Sequence, residues 1–203
     1  MTQKDKHLCD SLKIDNSIIV DIRSYTDSNI LAFPLNLDKV LNMDFDPSPE
    51  DTHYPGLIFN STEETGEKML TNLYEPFLKK GYTIFFLEKN YGINGRSDIL
   101  GILKTTDKYQ ILKRIQTNGA NFGIYNDSLR EIIKQFDAKY SLNLIGAGGD
   151  WCEFKIMNEP SSWLSLAKEA YTVCPDIVDQ GTGTVEQLAE EMKRTKRLYF
   201  WWD

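Results

Sequence analysis

Long hydrophobic runs are missing from this 203-residue chain, and apolar stretches such as Ile84–Leu87 fall far short of the ~20 residues that cross a bilayer. No membrane span is expected. The first twenty residues alternate Lys4, Asp5, Lys6, Asp10, Lys13 and Asp15 without a continuous apolar segment, so no secretory leader is expected either, and the reading is cytoplasmic. Cysteine is sparse and odd in number (Cys9, Cys152, Cys174), which excludes a disulfide framework and predicts buried, reduced thiols. Histidine is limited to His7 and His53, so neither a Cys/His nucleophile pair nor a Cys/His zinc site is expected. The patterns G-x-x-x-x-G-K-S/T, G-x-S-x-G and H-E-x-x-H are all absent, and with them the common routes to nucleotide, serine-hydrolase and zinc-protease chemistry. No cofactor and no metal is read from the chain.

Positive charge is also short. The net charge is −7, and it is concentrated: residues 1–65 hold five Lys/Arg against twelve Asp/Glu, whereas the remaining residues hold 18 of each. A surface that tracks phosphates needs clustered cations, so neither nucleic acid nor an anionic membrane is an expected partner. What is present is a globular composition, 41% hydrophobic and 12% aromatic with a mean hydropathy of −0.41. A chain this long buries roughly 70% of its extended surface on folding, enough for one sizeable core or two small ones.

Residues 1–50 read as an appended acidic segment and 51–203 as an α+β domain. In the first segment Ser17–Arg23 (S-I-I-V-D-I-R) and Asn29–Leu35 have strand-like composition, and Asp44–Pro55, with three prolines, reads as a connecting loop. From Tyr54 the order is regular. An apolar run, Tyr54–Phe59, precedes a capping-box signature at Ser61 and Glu64, a helix with Met69, Leu70, Leu73 and Phe77 on one face, Gly81 as its stop, and the strand Tyr82–Glu88. A hairpin through Lys89–Arg96 leads to the strand Asp98–Leu103; helices follow near 107–116 and 126–139, then a strand at 142–146. The turn Gly146–Gly149, the strand Asp150–Ile156, two helices from Pro160 and Thr184 and a final strand Arg197–Trp202 complete the chain. Strand, helix, strand, strand, helix, strand is the split βαβ, ferredoxin-like order, here extended by one unit, and it predicts a mixed sheet with helices packed on it. The closing L-Y-F-W-W is apolar at every position and predicts an interior strand covered on both faces.

Three stretches carry a resemblance: T-N-G-A-N-F-G at 117–123, G-A-G-G-D-W-C-E-F at 146–154, and C-P-D-I-V-D-Q-G-T-G-T-V-E-Q-L-A-E-E at 174–191 with the ending W-W-D at 201–203. Over about residues 100–203 the chain resembles the bacterial domain-of-unknown-function family 4253. The resemblance implies a bacterial, intracellular protein and, from members near contact-toxin and immunity genes, an interaction role; it implies no activity and no catalytic residue.

The candidate binding residues are Asp150, Cys174, Asp176, Asp179, Gln180, Gly181, Thr182, Gly183, Trp201 and Asp203. The glycine-rich approach to the helix at Thr184 offers backbone N–H groups to an anion. The alternative is that Thr182 or Thr184 caps that helix, with Asp176 and Asp179 holding loop amides. Asp150, Asp176, Asp179 and Asp203, if brought into one open cleft, would serve an enzyme or a divalent-metal site. Asp150-x-Cys152-Glu153-x-Lys155 contains the acid-x-Lys of one nuclease pattern, but that spacing arises by chance two or three times in such a composition, and Glu153 and Lys155 read as a solvated strand face. Lys193–Arg197 reads as a helix-end cluster able to neutralise Asp203. With no complete catalytic set, the leading expectation is a protein-binding module, immunity-like or regulatory, for a basic or toxin-like partner. The alternative is an enzyme or small-ligand binder around Gly181-Thr182-Gly183.

Overall fold

The structure, a computed structural model, describes residues 1–34, 37 and 55–203; most of the proline-bearing stretch expected as a loop lies outside the described residues. The chain forms two compact units, Met1–Arg114 and Ile115–Asp203. Both combine helices with antiparallel strand pairs, and the fold class is α+β. Among the described residues no helix is long and apolar enough to cross a membrane.

The first unit begins with helices α1 (Gln3–Leu12) and α2 (Asn16–Arg23). Thr2 and Asp5 form a reciprocal capping box on α1, and Asp15 caps α2 through the Ser17 amide. The strand expected at Ser17–Arg23 is therefore a helix. Its β-branched residues suggested a strand, but Ile18, Ile19 and Ile22 recur at helical spacing and are fully buried while Val20 is exposed, so periodicity overrides propensity. Arg23 grips the buried Asp5 carboxylate through Nε and Nη2 at 3.1 and 2.8 Å and donates from Nη1 to the Ser28 carbonyl, which ties the two helices to the chain leading into β1 (Leu31–Ala32).

Strand β2 (Gly56–Ser61), helix α3 (Glu63–Lys79), β3 (Thr83–Glu88) and β4 (Asp98–Leu103) follow, and α4 (Lys108–Ile115) ends at the boundary between the units. The strands lie in the order β1-β2-β4-β3, each antiparallel to its neighbour. β2 and β3 consequently run the same way with β4 between them, the split βαβ arrangement expected from the sequence. Helix α3 comes close to the sheet at Gly66, where a Cβ would lie 2.6 Å from the Phe86 ring.

The second unit holds α5 (Asn126–Tyr140), β5 (Leu142–Ala147), β6 (Trp151–Ile156), α6 (Trp163–Val173), α7 (Val185–Thr195) and β7 (Arg197–Trp201). Its strands lie in the order β5-β6-β7, all antiparallel. Among the described residues β7 ends that order and pairs with β6 alone, so it is an edge strand and not the interior strand its composition suggested. Leu198, Phe200 and Trp202 point into the core, whereas Arg197, Tyr199 and Trp201 are half-buried. The aromatic rings of Tyr199 and Trp151 lean together at 6.1 Å on the second face, which accounts for the apolar residues there.

Candidate functional site

Proline at 175 cannot continue α6, so the helix stops at Cys174 and the chain turns through a π-helical segment, Ile177–Thr182. Pro175 offers its carbonyl to the Val178 and Asp179 amides at 3.0 and 2.9 Å, and the Gly183 amide reaches back to the Val178 carbonyl at 2.8 Å. Gly183 sits at φ +80°, in the region glycine favours, which lets the chain reverse into Thr184. Thr184 then caps α7 by accepting from the Gln187 amide at 3.2 Å, and Thr182 donates to the Ile177 carbonyl at 3.3 Å. The glycine-rich approach is thus a helix cap, and the Gly183 amide that would have faced an anion is already bonded within the turn.

The remaining candidates meet the strand that follows. Cys174 is fully buried; its Sγ–H donates to the Trp201 carbonyl at 2.8 Å while the Trp201 amide donates to the sulfur at 3.4 Å. Burial pushes this thiol up to about 11 and Cys152 well above the usual range, so both are inert as nucleophiles at neutral pH. Asp176, also buried, accepts the Asp203 amide at 3.0 Å, and Trp202 donates its backbone amide to the Asp150 carbonyl at 3.0 Å. Asp179 turns the other way, to the Tyr171 hydroxyl at 3.0 Å. Gln180 and Gly181 are exposed on the turn.

The two earlier motifs close on the same place. Thr117, fully buried, donates its hydroxyl to the Gly148 carbonyl at 2.6 Å, and the Asn118 amide donates to the Gly149 carbonyl at 2.8 Å. Gly119 lies beneath the Trp202 indole, where a Cβ would come within 2.7 Å of the ring, and a Cβ at Gly148 would overlap the Trp151 indole nitrogen. Asn126 then donates to the Thr117 carbonyl at 2.9 Å, binding the first turn of α5 to the loop.

All three motif stretches therefore contribute residues that hold the Trp201-Trp202-Asp203 segment. A family model, described as a domain of unknown function (DUF4253), matches residues 99–203. The chain belongs to this family. No curated protein and no solved structure matches it. The DUF4253 span includes every candidate residue named from the sequence.

Of the four carboxylates that an enzyme reading required in one cleft, Asp176 and Asp179 are engaged with separate donors. Desolvation and, to a smaller degree, the charge on Asp203 raise the Asp150 carboxyl above its ordinary value, although the residue is exposed. Among the described residues no three His, Cys, Asp or Glu side chains are arranged to hold a metal ion. A cavity of about 330 Å³ lined by Leu31, Ile58, Phe59 and Asn60 belongs to the first unit and contains none of these groups.

Two further expectations are corrected. Glu153 is buried and paired with Arg197 at 3.0 Å, not solvated, because β6 and β7 bring the two side by side. No ion pair joins the basic cluster to Asp203 among the described residues: Lys196 pairs with Glu159 at 2.8 Å and lies 4.7 Å from the Trp163 ring centroid, and Arg197 pairs with Glu153. The sequence reading passed over Phe122 and Tyr125, which are 42% and 67% exposed. The available signal was the pair of glycines at 119 and 123, which mark a tight loop with an aromatic residue at its tip.

Proposed function

We propose that this DUF4253 chain is a bacterial, cytoplasmic protein-binding module, immunity-like or regulatory, whose partner is a basic protein. The observation that carries the reading is the use of the family motifs: Cys174, Asp176, Thr117, Gly119 and Gly148 are engaged in holding the chain's own strands and turns. Motif residues in an enzyme converge on a substrate-accessible point with a nucleophile, acid or base poised there. Here the buried members are satisfied internally, and the exposed remainder is acidic and aromatic. An acidic surface steers a basic partner and raises its association rate, most strongly at low salt.

The test is a quantitative pull-down of the N-terminally tagged protein from its native host, followed by reconstitution from purified components. A stoichiometric basic protein whose affinity falls as salt rises supports the reading. Recovery of the chain alone, with a rise in melting temperature on adding magnesium, manganese or zinc chloride that Asp150→Asn abolishes, would instead favour a small-ligand or metal-binding enzyme built on Asp150 and Asp203.

A further inference from the structure

The loop Gly119–Ile124 is closed on itself: the Gly119 amide donates to the Ile124 carbonyl at 2.7 Å and the Ile124 amide returns to Gly119 at 3.1 Å. Its apex is a single 3-10 turn, Ala120–Phe122, and Gly123 at φ +71° brings the chain back. The base is fixed by Thr117, Asn118 and the Trp202 indole, as described above. A loop held this firmly loses little conformational freedom when something docks on it, so its contacts convert efficiently into affinity. What it presents is unusual for a surface. Phe122 closes the apical turn, Tyr125 follows three residues on, and Ala120, Asn121 and Gly123 are exposed as well. Rigidly presented aromatic residues are the side chains that dominate binding energy at protein interfaces.

Charge says what kind of surface they meet. Asp150 and Asp203 follow directly on the two residues against which the loop is seated, Gly149 and Trp202, and neither has an ion-pair partner among the described residues. Asp127 is already paired with Arg130, and the buried Asp176 carboxylate is held by the Asp203 amide. Residues 115–203 carry thirteen acids and nine Lys/Arg, so a second copy would bring like charges together, and a nucleic acid would bring phosphates against carboxylates.

We infer that the Gly119–Tyr125 loop, with Asp150 and Asp203 at its base, is the docking surface for the basic partner: Phe122 and Tyr125 enter an apolar recess, and the two carboxylates receive a Lys or Arg side chain. This rests on the protein-binding reading and gives it an address.

The test titrates the isotope-labelled full chain with two short peptides, one alternating Lys and Leu and one alternating Glu and Leu, and follows backbone amide shifts. The Lys/Leu peptide is expected to shift Gly119–Tyr125, Asp150 and Asp203, with little effect from the Glu/Leu peptide. The double variant Phe122→Ser, Tyr125→Ser removes two exposed anchors, keeps the melting temperature, and is expected to weaken binding at least about tenfold. Asp150→Asn is expected to weaken binding several-fold at low salt while the protein melts higher, a combination that loss of structure does not produce. Shifts centred elsewhere, equal binding of both peptides, no binding, or loop shifts that depend only on protein concentration would each overturn the inference. A basic partner from the pull-down that binds the double variant as well as the parent would overturn this surface and leave the protein-binding reading standing; the absence of any partner would overturn that reading itself.

Discussion

Cys174 illustrates how a residue that looks reactive becomes structural. Edge strands expose backbone donors and acceptors, and at Trp201 both are covered by one sulfur atom that gives and receives a hydrogen bond. Cys174→Ala leaves that buried pair unsatisfied and opens a small cavity, so equilibrium denaturation is expected to show a loss of about 1–3 kcal/mol. In the native parent protein, thiol reagents should leave Cys174 unmodified until the chain unfolds. Two carboxylates have opposite pH signatures. Arg23 holds Asp5 well below the ordinary aspartate value of 3.8, so its contribution is present above that value and is lost as pH falls toward the folded pKa; the stability gap between parent and Asp5→Asn should close on acidification below about pH 4. Asp150 is raised, so its favourable contribution exists only at low pH and disappears as pH rises through the folded value. Asp150→Asn should therefore melt higher than the parent at pH 7 and lose that advantage near pH 3.

At the scale of elements, the glycine turns set the geometry of the second unit. Gly148→Ala places a methyl group inside the Trp151 indole, on a turn where the Gly148 amide already donates to the Trp151 carbonyl at 2.9 Å. A destabilisation of about 1–3 kcal/mol or more by overpacking is expected in thermal or denaturant unfolding, whereas Gly81→Ala meets no neighbour and acts only through its positive φ. Elements with strong local signals were legible in the sequence. The helix beginning at Thr184 and the strand β6 follow from spacing and composition and appear within a residue or two of their expected ends, although the alternation expected of β6 fails at Glu153, which is buried. What sequence could not supply was partnership at long range. The π-helical turn depends on Pro175 and Gly183 acting together, the Asp176 carboxylate meets an amide 27 residues away, and the edge position of β7 depends on strand order, which a run of apolar letters does not encode. The α2 error has the same root: three isoleucines satisfy strand propensity and helix periodicity at once, and the packing decides.

For the molecule as a whole, the proposed division gives the buried motif residues to the fold and the exposed surface to binding. The motifs close the second unit around its last strand, so removing Tyr199–Asp203 takes away Phe200 and Trp202, stacked at 5.8 Å, and should leave that unit unable to melt cooperatively. The surface that remains, acidic with an aromatic loop, is the one proposed above to receive a partner. The measurement that tests this division most directly is the thermal unfolding of the parent and Asp176→Ala, each with and without magnesium, manganese or zinc chloride. If Asp176 serves the fold, its removal frees the Asp203 amide and costs about 1–3 kcal/mol, lowering the melting temperature by on the order of 5 °C, and the cations change neither protein. An unchanged melting temperature in Asp176→Ala, together with a cation-induced stabilisation of the parent that the variant lacks, would contradict the account and assign the motif to chemistry instead.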